Sequence, residues 1–344
     1  LSIYSFAMVS PSAVKKYKDD FTSHPCGTGP FKFIEWRGGD RIVLESNKDY
    51  WGRTAYLDRI IFETVSDADA RARNLERNRI DVMTGLRNDD IDDFKKNDDL
   101  KILEKSGFAV VFLALNRKDD YLGSAKVRIS LAYAINKKRL LKSEFKERAL
   151  IARGFLPPGV TGFAPEIKSQ EFSPSKARKY MDKTIFYDGF DLELIYPDDS
   201  SLCFPEPEYI ANSLKDDVEY LKINLKPKAL DNESFWKKIL AGDFSAALLG
   251  FSSPDSGGET MLALINNIFY EEKKFELLLV KARNTEVEEE KKKLYKDMQK
   301  DMVKDLQIIP LFYPRYYIAY GKKIKGIRIL PNGICVFKDA WIEK

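Results

Sequence analysis

Three short runs constrain this chain more than any other feature. Phe108 to Leu115 (FAVVFLAL), Asp191 to Tyr196 (DLELIY) and Phe244 to Phe251 (FSAALLGF) have strand length, and the first and last are uncharged. The two uncharged runs suit strands covered on both faces of a sheet. From Asp191 to Phe251 the pattern reads strand, helix (Glu208 to Leu221), strand (Lys222 to Pro227), helix (Ser234 to Leu240), strand. That alternation predicts a mostly parallel α/β sheet with crossover helices.

The flanking segments add elements of both kinds. Ser10 is a helix N-cap candidate with Pro11 at the first helical position. Phe31, Phe33 and Ile34, then Ile42 and Leu44, alternate around the Arg37–Asp40 turn and predict a hairpin. Leu57 to Val65 reads as a third strand and Ser66 to Arg79 as a helix with an Asp-rich first turn. Ile80, Val82 and Met83 form a short strand, and the remainder to Lys105 is polar and helical in pattern. Lys126 to Leu141 reads as one amphipathic helix, and Ser173 to Met181 repeats the Ser-Pro helix start. Glu286 to Leu306 is a charged helix with Val287, Leu294, Met298 and Met302 as its core stripe. Ile308 to Tyr313 and Tyr316 to Tyr320 are terminal strands.

The chain has 344 residues, enough for two domains. It is 44% hydrophobic and 32% charged, a folded rather than disordered composition. Its 57 basic and 53 acidic residues are interspersed and leave a net charge of +4. A basic stripe of the kind that reads nucleic acid is therefore not expected. Cys26, Cys203 and Cys335 form no CxxC and allow at most one disulfide and a leftover thiol. No apolar run reaches the ~18 residues of a membrane span, and residues 1 onward show no signal-peptide pattern. One histidine, no nucleophile elbow and no phosphate loop argue against an enzyme.

A longer motif gives the family. Cys26 to Gly52 (CGTGPFKFIEWRGGDRIVLESNKDYWG) leads into Tyr56 to Gly85 (YLDRIIFETVSDADARARNLERNRIDVMTG). This stretch resembles the signature of the family 5 extracellular solute-binding proteins, the binding components of peptide- and nickel-type ABC importers. Val127–Arg139 (VRISLAYAINKKR) is similar to a family helix, with Asn136 where an Asp is usual. Leu156–Gly159, Ser173–Met181, Leu221–Leu225 and Ile309–Gly326 continue the resemblance in order. It implies an α/β, two-lobed periplasmic-binding-protein-like (type II) fold with mixed sheets and a hinge. Lobe I would hold residues 1–107 and 305–344, and lobe II residues 108–304. Family members carry a further N-terminal stretch, so the chain is expected to be part of a longer protein, with an open sheet edge in lobe I.

The resemblance also implies function. The expected activity is capture of a small solute, an oligopeptide or peptide-like molecule, with no cofactor and no metal. The expected partners are that ligand and an ABC permease, with no nucleic acid, for a monomer in the periplasm or at the cell surface, where a lipoprotein anchor is compatible. The alternative is the ligand-sensing domain of a transcriptional regulator or another non-transport interaction protein. Peptide binders carry a Gly-Trp-x-x-Asp stretch whose Asp pairs with the peptide amine. The matching positions are Gly250, Phe251, Ser252, Ser253 and Pro254, and proline cannot supply that charge. Asp255 follows one residue later. Phe251, Ser252, Ser253 and Asp255 follow a buried strand at its carboxyl end, where α/β sheets bind ligands. Phe112, on the strand expected at the hinge, completes the ligand-contact set.

Other candidates have ordinary readings. Trp36, Tyr50 and Trp51 are expected to pack under the hairpin turn rather than form an aromatic wall. His24 and Cys26 are too few for a metal site. Gly27-Thr28-Gly29 reads as a structural turn, and Arg128 as a surface ion-pair residue.

Overall fold

The computed structural model describes residues 9–143, 145–146, 148–201 and 203–344. These form two compact units, residues 9–105 with 317–344, and the described residues of 106–316.

In the first unit, α1 (Pro11–Tyr17) starts as expected, with the Ser10 hydroxyl accepting from Ala13 N and Pro11 in the first turn. Strands β1 (Phe31–Arg37), β2 (Arg41–Ser46) and β3 (Arg59–Glu63) make an antiparallel sheet in sequence order. Helix α2 (Ala68–Glu76) is capped by Asp67, whose carboxylate accepts from Ala70 N. After it come β4 (Val82–Met83), α3 (Asn88–Phe94) and β5 (Leu100–Ser106). The last corrects the helical expectation for this stretch. Leu100, Ile102 and Leu103 supply a strand despite charged neighbours, and Leu100 joins Leu75, Met83 and Phe94 in a small core.

The second unit is built on β6 (Ala109–Leu115). After it come α4 (Ala125–Ala134), α5 (Lys137–Ser143), β7 (Ala149–Ile151), α6 (Pro174–Met181), β8 (Phe190–Pro197), α7 (Pro207–Glu219), β9 (Ile223–Leu230), α8 (Asn232–Ala241) and β10 (Ala246–Ser252). The chain continues through α9 (Glu259–Ile265), a π-helical turn at Asn266–Tyr270, α10 (Lys273–Arg283), α11 (Glu288–Asp305) and β11 (Ile308–Gly321). Strands β9, β8 and β10 are parallel, joined by α7 and α8 as the sequence pattern predicts. Strand β6 is antiparallel to β10 and to β11, so the sheet is mixed. The two terminal strands expected from the sequence are one continuous β11.

Every residue of β6 is buried. Val111, Leu113 and Leu115 join the core under α4 and α7. Val110, Phe112 and Ala114 join the opposite core, with Met298 and Met302 of α11 and Phe275 of α10. The period-two alternation of a strand thus feeds two cores, one on each face. Val287, assigned to the α11 stripe, instead sits at its N-cap and is 55% exposed.

Two further expectations are corrected. The single helix predicted over 126–141 breaks at Ile135–Asn136. Asn136 N donates to Asp217 Oδ2 at 2.8 Å, and the Asn136 side chain accepts from Arg139 N at 3.0 Å, so Asn136 caps a new helix. Arg128 is no surface residue. It is 4% exposed, and its guanidinium donates to the carbonyls of Leu122 (2.8 Å), Gly123 (3.1 Å) and Asp305 (3.1 Å), tying α4 to the end of α11.

Candidate functional site

The candidate site is the carboxyl end of β10 and the 253–258 loop that follows it. Strand β10 ends against the start of β6, with Phe251 opposite Val110 and Ser252 opposite Ala109. Ser253 N then donates to Phe108 O at 2.7 Å, extending the pairing by one residue. Gly250 is required by close packing, because a Cβ there would lie 2.6 Å from both Cys203 O and Phe204 Cβ. Gly258, with φ +72, lets the loop turn into α9, where a side chain would meet Thr161 O at 2.3 Å. Thr161 N in turn donates to Ser256 O at 2.7 Å.

The polar groups of this loop differ sharply in surroundings. Ser252 is exposed, and its hydroxyl lies 3.2 Å from the Tyr316 hydroxyl. The Tyr316 ring lies over Gly107, where any Cβ would collide with it at 2.6 Å. Ser253 is 0% exposed, and its hydroxyl has no hydrogen-bond partner among the described residues. A buried hydroxyl without a partner costs about 1–3 kcal/mol. Asp255 is half-buried and accepts from Gly257 N at 2.6 Å through Oδ1.

The aromatic members lie beneath. Phe251 is 5% exposed and Phe112 0%. The two rings meet edge to face at 5.1 Å, Phe112 also meets Phe269 at 5.8 Å, and Trp236 stacks on Phe251 at 5.8 Å. Phe112 and Phe251 therefore support the strand end as core residues, while Ser252, Ser253 and Asp255 form its polar rim. Gly107, Thr161 and Tyr316 belong to the same neighbourhood and were not legible as site residues. The one sequence signal was a glycine, Gly250, inside an apolar strand.

The other candidates lie elsewhere. Gly29 O accepts from Asn47 Nδ2 at 2.9 Å and Pro30 O from Asn47 N, so Gly27-Thr28-Gly29 belongs to a pinned turn. His24 stacks on Tyr17 at 4.3 Å with Nδ1 3.2 Å from Asp20, and Cys26 is exposed. Among the described residues no group of three or more His, Cys, Asp or Glu is placed to hold a metal. The expected packing of Trp36 and Trp51 under the hairpin is overturned, since they are 52% and 80% exposed. Cys26, Cys203 and Cys335 are all free thiols, and burial pushes the Cys335 thiol up.

Residues 1–267 match the bacterial extracellular solute-binding proteins, family 5 Middle. The chain belongs to this family. Heme-binding protein A of Haemophilus influenzae is 24% identical over 353 residues, covering 100% of this chain and 64% of that protein. Di/tripeptide-binding protein 1 of Pseudomonas aeruginosa is 26% identical, covering 94% and 62%. The chain thus spans less than two thirds of the length of these curated relatives. Among solved structures, the periplasmic binding protein DppA of Helicobacter pylori in complex with peptide STSA aligns with a TM-score of 0.86 at 24% identity, covering 98% of this chain and 68% of that one. A dipeptide-binding protein of Pseudoalteromonas in complex with Met-Leu aligns with a TM-score of 0.88 at 20% identity, covering 97% and 69%. The fold is the α/β, type II periplasmic-binding-protein-like fold with mixed sheets. The family is one of binding proteins that act outside the cytoplasm, and no helix among the described residues is long and apolar enough to cross a membrane.

Proposed function

We propose that this chain captures a small, peptide-like solute for an ABC importer and presents it to a membrane permease from the periplasm or outer cell surface. Family membership over residues 1–267 is the observation that carries this reading. The two compact units are assigned as the two lobes, and hinge closure on the solute shifts the population toward the form the permease engages. Ser252, Ser253 and Asp255 are assigned as ligand contacts and Phe251 and Phe112 as the apolar support beneath them. The unpartnered Ser253 hydroxyl supports that assignment.

Pro254 stands at the position where peptide binders of the family place the amine-pairing Asp. The cleft is therefore assigned to a solute that does not depend on a free amino terminus at that point. Native mass spectrometry of the purified chain with a pool of di- and tripeptides, free and N-acetylated, tests this. The expected result is one retained solute per chain, with acetylation costing less than about tenfold in affinity, or ~1.4 kcal/mol. Small-angle scattering should show compaction on binding. Strict dependence on a free amine overturns the Pro254 reading. Retention of no peptide at any concentration overturns the peptide assignment.

A further inference from the structure

The second unit holds a cavity of about 1060 Å³ between the α4–α5 junction, the segment after β7 and the loop leading into α6. Its wall is strongly cationic. Lys137, Lys138, Lys142, Arg153, Lys168 and Lys176 all line it, and Glu171 is the one carboxylate among the lining residues. Arg139 also lines it but is held by Asp217 at 2.9 Å. Tyr133, Ile151 and Phe172 add an apolar side.

Lys137 makes this more than a solvated patch. It is 7% exposed, and its ammonium donates to one acceptor, Ala152 O at 3.3 Å. An ammonium has three donors, and no carboxylate among the described residues pairs with this one. The charge that shifts it is another cation, Arg153. A buried cation without a counter-ion is strongly unfavourable unless it loses its proton or gains an anion.

We propose that this cavity is a binding site for a phosphate-bearing anion, with Lys137 at its buried end and the exposed lysines at its mouth. Several separate ammonium groups act as point charges, which suits the oxygens of a di- or triphosphate. The volume fits a small molecule, and Tyr133, Ile151 and Phe172 leave room for an apolar moiety. The site lies within one unit and is distinct from the 252–255 loop.

Protonation supplies a readout that packing alone does not. Burial, with repulsion from Arg153, pushes the Lys137 ammonium down to about 7. The charged groups around it are Arg153 after β7, Lys168 and Glu171 in the loop, Lys176 on α6, and Lys138, Arg139 and Lys142 on its own helix. An anion in the cavity favours the charged form, so binding takes up a proton near pH 7.

Titration calorimetry with pyrophosphate, run at pH 7 in two buffers of different ionisation enthalpy, tests the proposal. Expected are binding with uptake of up to about half a proton at Lys137, and affinity falling about tenfold from pH 6 to pH 8 beyond the change seen in Lys137→Met. Lys137→Met should abolish the uptake, and Lys138→Ala/Lys168→Ala should weaken binding while leaving it in place. The double variant keeps the test usable if Lys137→Met does not fold. Pelleting with phosphatidylglycerol vesicles separates the sources. Binding to pyrophosphate but not vesicles assigns a soluble phosphate compound, and the reverse assigns a lipid headgroup. Binding to neither overturns the site, and proton uptake that persists in Lys137→Met overturns the role of Lys137.

Discussion

Strand β6 is apolar throughout, the β1–β3 strands mix apolar with charged residues, and the two meet different fates. All seven residues of β6 are buried, because helices cover both faces of its sheet. In β1, β2 and β3 only Val43 and Ser46 are buried. The register places Trp36, Ile42 and Phe62 in one cross-strand row and Phe33, Leu44 and Ile60 in the next, giving one apolar face. Trp36 and Phe62 on that face are 52% and 45% exposed. An apolar face on a strand states that burial is favourable. Whether burial occurs depends on what packs across it.

That contrast can be broken by substitution. Phe112→Ala removes a fully buried ring that meets Phe251 and Phe269 and should cost about 3–5 kcal/mol in urea unfolding. Phe33→Ala, on the half-buried sheet, should cost clearly less, about 1 kcal/mol. Equal losses would erase the distinction between the two sheets.

Gln299 gives the next largest effect. Its fully buried amide accepts from Phe155 N and Leu156 N and donates to Gly162 O and Tyr295 O. Gln299→Leu takes that partner from Phe155 N, Leu156 N and Gly162 O, while Tyr295 O keeps its helical bond within α11, with an expected loss of about 3 kcal/mol. A loss below ~1 kcal/mol would show that water replaces the amide.

Lys137 sharpens the comparison through pH. Its folded-state ammonium is pushed down to about 7 from 10.5 by burial and then Arg153. Between about pH 7 and pH 10 the unfolded chain therefore holds a proton that the folded chain has released. Stability contributed by this group rises with pH across that window, by roughly 1.4 kcal/mol per unit, and the full penalty is present below pH 7. Lys137→Met should flatten the rise, stabilising most at low pH. An unchanged slope in the variant would refute the buried ammonium. The smallest effect is expected at Trp51, 80% exposed. Trp51→Ser should change stability by no more than about 0.5 kcal/mol, and a larger loss would mean that its ring is covered in solution.

Much of the fold was legible because it depends on local pattern. The strands at β6, β8, β9 and β10 announce themselves by length and apolar content, and the cap at Ser10 by residue type, whereas Asp67, expected inside the first turn of its helix, is its cap. The β10 end was legible as a candidate site because strand carboxyl ends are where such sheets tend to bind. Other features depend on distant neighbours. The Asn136 break is stabilised by Asp217, eighty-one residues away. The charges in LKILEKS pointed to a helix, and pairing with β11 makes it a strand.

The sequence by itself determined the periodicities, the caps, the α/β class and the family. These rest on interactions between near neighbours in the chain, or on motifs read in order. Only the tertiary structure decided that β6 runs antiparallel to β10, that Arg128 is a buried clamp, that the Ser253 hydroxyl lacks a partner, and that basic residues from three separate segments line one cavity around Lys137. Strand direction, burial and local field all arise from groups far apart in sequence, and they take values only when the chain has brought those groups together.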